Sequence, residues 1–148
     1  MKAAIFLRIA AVVALIHAIL HTIGGVFAKP TPGPAERAVA AMKANHFVLM
    51  GSTRTYWDFY LGFGLAITIF LTVEAVAFWL LGSLALRESA RLRPLISVFA
   101  LAYLALAANS CLFFFAGPIF TEVLIVLCLA LAVIFAKGPT TKAADVSV

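Results

Sequence analysis

Ionisable and hydrogen-bonding side chains are scarce in this chain, and those inside apolar runs are the ones that could do chemistry. His17 and His21 stand one helical turn apart in the first apolar run, and Glu74 and Glu122 interrupt two later ones. Asp58 and Trp57 open a long apolar segment, Asn109 closes another, and His46 lies in the polar connection between the first two. Imidazole and carboxyl groups held out of water can exchange protons with a substrate without any cofactor. His21 and Glu122 are the candidate acid/base pair for such a step, which would be isomerase-like and act on a lipophilic substrate. Each group also has a structural alternative: helix-to-helix hydrogen bonds for the histidines and Asn109, a pair with Arg54 for Asp58, a helix-dipole position for Glu122 and an interfacial position for His46.

Cofactor chemistry finds little support. Two histidines on one helix face cannot approach a haem from opposite sides, and the other apolar runs contain no histidine. A zinc-like set of the imidazole pair, His46 and a carboxylate is the one metal arrangement with suitable donors. Cys111 and Cys128 are far apart in sequence and form no Cys-x-x-Cys. No nucleotide loop, catalytic triad or zinc-protease motif occurs.

Composition explains why these groups matter. Of 148 residues 65% are hydrophobic and 11% charged, with a mean hydropathy of +1.13. A soluble domain carries about a quarter charged residues. Lipid is therefore the expected solvent, and apolar runs in lipid must be helices, since their backbone groups need internal partners. The net charge of +5 comes from basic residues spread over loops and ends, which speaks against nucleic-acid binding.

The expected fold is all-α: an integral membrane four-helix bundle with spans at residues 5–27, 56–81, 95–115 and 118–136. An amphipathic interfacial helix over 34–50, with His46 turned toward the bundle, occupies the first loop; 82–93 is a short connection, and 137–148 is a polar cytoplasmic tail. Along the first span Ala10, Ala14, His17, His21, Gly24 and Ala28 share one face, while Val12, Leu15, Ile16, Ile19, Ile23 and Val26 share the opposite, lipid-suited one. Lys2, Arg8, Arg87, Arg91, Arg93, Lys137 and Lys142 outnumber Lys29, Arg37, Lys43 and Arg54, which places both termini in the cytoplasm.

With that topology His21, Asp58, Asn109 and Glu122 fall at one level, with His17 deeper and His46 above. They define an expected outer-leaflet pocket, with Trp57 at its rim, for a small lipophilic or lipid-like ligand. Glu74, with Tyr103 at its depth, is a second candidate site. The alternatives are an accessory membrane subunit whose polar residues only fix packing, and a histidine/carboxylate metal site. Membrane lipid and a second copy of the chain are the expected partners.

The pattern His21-Thr22-x-Gly24, then Met50-Gly51-Ser52-x-Arg54-Thr55-Tyr56-Trp57-Asp58-Phe59-Tyr60-x-Gly62-Phe63-Gly64, then Phe113-Phe114-Phe115 before Gly117-Pro118, resembles a family of small bacterial four-helix membrane proteins with no established activity. The resemblance covers nearly the whole chain. It implies four spans and a bacterial inner-membrane location, and it assigns no residue a role.

Overall fold

A computed structural model describes residues 1–136; the expected tail, 137–148, lies outside the described residues. The chain is mostly helical. Helix α1 (Lys2–Leu20) runs on through a π-helical turn, His21–Val26, and α2 is Pro34–Ala44. Strands β1 (His46–Leu49) and β2 (Ser52–Thr55) precede α3 (Tyr56–Phe113) and α4 (Ala116–Phe135). Among the described residues three helices, Lys2–Val26, Tyr56–Phe113 and Ala116–Phe135, are long and apolar enough to cross a membrane.

Helix α3 contains 58 residues, about 87 Å of helix if straight, nearly three times a hydrocarbon core of about 30 Å. It does not run straight. Glu88 leaves helical geometry (φ −132°, ψ 40°), and Tyr103 Oη reaches back to Glu74 Oε2 at 2.6 Å across 29 residues. An unbroken helix would separate those residues by about 44 Å. α3 is thus a helical hairpin with arms before and after Glu88. The expected connection at 82–93 is itself helical on both sides of one non-helical residue, because Leu, Ala and Arg keep winding favourable almost to the reversal.

The described residues form two compact units, one of residues 1–14 with 74–136 and the other Leu15–Val73. In the first, four helical stretches share one core. Ala4, Leu7, Ala10, Ala11 and Ala14 of α1 meet Ala75, Phe78, Leu81 and Ala85 of the first α3 arm, Ile96 and Tyr103 of the second, and Ile125, Cys128, Leu129 and Ala132 of α4. Small residues let the backbones approach, as at Gly82, where an added Cβ would stand 3.3 Å from the Ala4 carbonyl oxygen. Phe78 is the aromatic centre, with ring centroids 5.1 Å from Phe99 and 5.8 Å from Tyr103. The outward faces of these helices are rich in exposed Leu, Ile, Val and Phe.

In the second unit the π-turn corrects the expected face of Val26. A π-turn holds more residues than an α-turn, so positions beyond it rotate around the axis. Val26 is therefore buried, while Gly24 and Ala28 are exposed. Val26 packs on Gly64, whose added Cβ would lie 2.9 Å from Val26 Cγ2. Gly64→Val is accordingly expected to lower thermal stability by about 1–3 kcal/mol, readable as a downward melting shift in detergent.

The loop helix expected over 34–50 ends at Ala44. Asn45 closes it, its Nδ2 donating to the Ala41 carbonyl at 2.7 Å. Beyond it the expected helix does not continue to His46 and Met50. His46–Leu49 pairs antiparallel with Ser52–Thr55 across a two-residue Met50-Gly51 turn, both with positive φ (50° and 81°). Positive φ at both central residues is the hairpin-favouring type I′ arrangement, and His-Phe-Val-Leu is better suited to a strand than to a helix. His46 is consequently an exposed strand residue. At the other end, α4 begins at Ala116, two residues ahead of the expected 118, with Pro118 tolerated in its first turn.

Candidate functional site

On α4 the buried positions Glu122, Ile125, Leu129 and Ala132 recur at helical spacing and face the core. Glu122 is thus a carboxylic acid at an otherwise apolar core position, only 6% exposed. On the second arm of α3, Tyr103, Ala107 and Ser110 form the matching buried stripe. Ser110 Oγ donates to Glu122 Oε1 at 3.0 Å. Glu122 Oε2 is buried and has no hydrogen-bond partner among the described residues. A buried carboxyl with one oxygen held and the other unpartnered has room in its bonding for one more polar group.

Ser110 was not among the residues the sequence singled out. Asn109, its neighbour, was; it is exposed. The signal for Ser110 lay in its spacing of two turns from Tyr103, which puts the two on one helix face.

The same arm carries the second polar pair. Tyr103, fully buried, donates its phenolic hydrogen to Glu74 Oε2 at 2.6 Å, and Glu74 is half-buried. The bond joins the two arms of α3 and reinforces the reversal at Glu88. Tyr103→Phe is expected to cost about 1–3 kcal/mol, because it removes a hydrogen bond to a group that can be charged and leaves the carboxyl short of a donor. Chemical or thermal unfolding of the detergent-solubilised variant checks this.

The remaining residues belong to the second unit. His21 opens the π-turn, and its Nε2 lies 3.0 Å from the Gly64 carbonyl oxygen; since a carbonyl only accepts, Nε2 carries the hydrogen. Beside it Thr22 Oγ1 donates to the Ala18 carbonyl at 2.6 Å, and Thr68 Oγ1, 3.0 Å from Thr22 Oγ1 and 3.2 Å from the Gly64 carbonyl oxygen, shares its one hydrogen between those two acceptors. Together these bonds tie α1 to α3. His17 is half-buried one turn earlier.

Asp58 is engaged in capping its own helix. The Thr55 N–H donates to Asp58 Oδ2 at 2.7 Å and the Asp58 N–H donates to Thr55 Oγ1 at 3.1 Å. This reciprocal box satisfies two of the donors that every helix start leaves free. Among the described residues Arg54 and Asp58 form no salt bridge, Arg54 Nη1 donating instead to the Thr53 carbonyl at 2.7 Å. Thr55→Ala is expected to destabilise the start of α3 by about 1 kcal/mol, detectable as faster amide exchange over its first turn. Trp57 stacks on Tyr60 at 5.2 Å and carries the Lys43 ammonium 4.7 Å over its ring.

The candidate residues therefore divide between the units: His17, His21, His46, Trp57 and Asp58 in one, Glu74, Tyr103, Asn109 and Glu122 in the other. Among the described residues no group of three or more His, Cys, Asp or Glu is placed to hold a metal ion. What the fold defines is a mostly helical chain with membrane-length apolar helices and a buried, half-satisfied carboxyl in its core. No protein family, curated protein or solved structure matches the chain.

Proposed function

We propose that this is a four-helix integral membrane protein whose core binds the polar head of a small lipophilic ligand at Glu122 and Ser110. The single observation that carries this is the unpartnered, buried Glu122 Oε2 beside an oxygen already held by Ser110. Leaving such an atom unpaired costs about 1–3 kcal/mol, and a ligand hydroxyl or amine would recover it. The membrane setting is supported by the apolar helices and by their exposed aliphatic faces, which lipid solvates and water does not. The bilayer supplies a ligand of matching polarity directly between helices. The two arms of α3 count as separate crossings, so that α1, both arms and α4 make four spans of a bacterial inner-membrane protein. The basic residues Arg87, Arg91 and Arg93 at the reversal of α3 then lie on the cytoplasmic side with both termini.

A second function class, an accessory subunit with packing-only polar residues, draws support from the bonds His21–Gly64, Thr22–Thr68 and Tyr103–Glu74, each of which fastens one helical segment to another. The two differ at Glu122. Thermal-shift measurements of purified protein against lipophiles bearing hydroxyl or amine heads are expected to show stabilisation of the parent chain and none of Glu122→Gln. Equal responses of the two proteins would favour the accessory role.

A further inference from the structure

The α2–hairpin segment concentrates unlike properties at its two ends. At the tip, Val48, Leu49 and Met50 are 72%, 51% and 98% exposed, so three consecutive apolar side chains leave half or more of their surface uncovered. In the stretch from Lys29 to Thr55 the chain is basic, with Lys29, Arg37, Lys43 and Arg54 against Glu36, and Asp58 at the start of α3 adds one carboxylate beside the hairpin base. A two-stranded hairpin is marginal on its own and must be held by neighbours. Phe47 supplies that hold, its ring 5.0 Å from Tyr56 and 5.6 Å from Phe59. Phe59 is one turn inside α3, so the Phe47 ring packs against the first turn of that helix. Phe59 in turn lies 6.1 Å from Phe63, continuing the aromatic row down α3. Lys43 over Trp57 fixes the end of α2 to the same first turn.

We propose that this hairpin is an anionic-lipid anchor: its apolar tip inserts into the leaflet beside the start of α3 while Arg54 and Lys43 bind lipid phosphates. The inference rests on the membrane reading above and is independent of any ligand at Glu122. Dimensions agree with it. Arg54 pairs with Phe47, and Met50 lies three residues further along the strand, about 10 Å away. The headgroup layer on each side of a bilayer is roughly 5–8 Å thick, so a tip that leaves Arg54 among the phosphates reaches the first acyl carbons. Charge complementarity selects the lipid, since each basic residue near an anionic surface contributes about a fivefold preference. Val48 and Leu49 point to opposite faces of the hairpin, as neighbours in a strand do, so the tip is apolar all round and suits insertion better than a flat, one-sided contact.

The test uses the full chain carrying Met50→Cys with Cys111→Ser, labelled with an environment-sensitive fluorophore and placed in nanodiscs of phosphatidylcholine alone or with phosphatidylglycerol. Incorporation into the discs checks the membrane reading separately from the fluorophore. The expected result is a blue-shifted emission quenched by acyl-chain nitroxides in anionic discs, with Arg54→Gln shifting the inserted-to-free ratio about fivefold toward free. A label that stays water-exposed and unquenched in both discs of properly incorporated protein would overturn the proposal, as would insertion indifferent to both lipid charge and Arg54.

Discussion

Glu122→Leu is expected to be more stable than the parent protein when both are stripped of lipophilic additives. Leucine has nearly the volume of glutamate and continues the apolar face that Ile125, Leu129 and Ala132 form further along α4, so the position is refilled without a void. The substitution removes the buried oxygen that lacks a partner, which is worth about 1–3 kcal/mol. Ser110 loses its acceptor but can turn its hydroxyl to the carbonyl one turn before it, so little of that gain is given back. Added ligand reverses the order. A ligand at about 100 times its dissociation constant stabilises the parent by about 2.7 kcal/mol and leaves Glu122→Leu unmoved. Differential scanning fluorimetry with and without ligand reads both signs in one experiment. A natural residue that lowers the stability of the empty protein is understandable at a binding site and hard to explain as packing.

Phe78→Ala should produce the largest loss. Phe78 is fully buried and meets Phe99 edge-on, Tyr103 at a tilt and the alanine-rich face of α1 in the same core. Truncation of a buried Phe costs about 3–5 kcal/mol in water-soluble cores, part of it transfer and part cavity. In lipid the transfer part shrinks, since the unfolded helix buries the ring in hydrocarbon anyway, but lost packing contacts remain. The lower end, about 3 kcal/mol, is therefore expected, together with loosening of the Tyr103–Glu74 bond that the ring supports. Unfolding in mixed micelles measures the first and amide exchange around Glu88 the second. Phe63→Ala, at an exposed position, is the control and should change little.

The helices follow from hydropathy, because a long apolar run in a chain with so few charges has few other structures open to it. The inward face of α1 up to His21 follows from its small residues. Val26 does not, since nothing in Gly24-Gly25 announces a π-turn that advances the register. The hairpin was hidden for a related reason: Val39, Met42 and His46 fit a helical period, and only the Met50-Gly51 turn geometry separates the two solutions. Asp58 was legible as a carboxylate at a helix start, yet the spacing Thr55-x-x-Asp58 pointed to capping more directly than Arg54 did to an ion pair. Glu122 and Glu74 stood out as carboxyls in apolar helices. Their partners, Ser110 and Tyr103, depend on which faces of the α3 hairpin and α4 meet, which a single helix period does not determine.

A polar ligand site at Glu122 is tested most directly by native mass spectrometry of the protein extracted from membranes in mild detergent, beside Glu122→Leu prepared identically. The expected spectrum of the parent shows a stoichiometric small-molecule adduct that survives collisional removal of bulk lipid, and the variant lacks it. An adduct retained equally by Glu122→Leu, or a parent protein that emerges with no adduct at all, would contradict the assignment of Glu122 and Ser110 as a binding site.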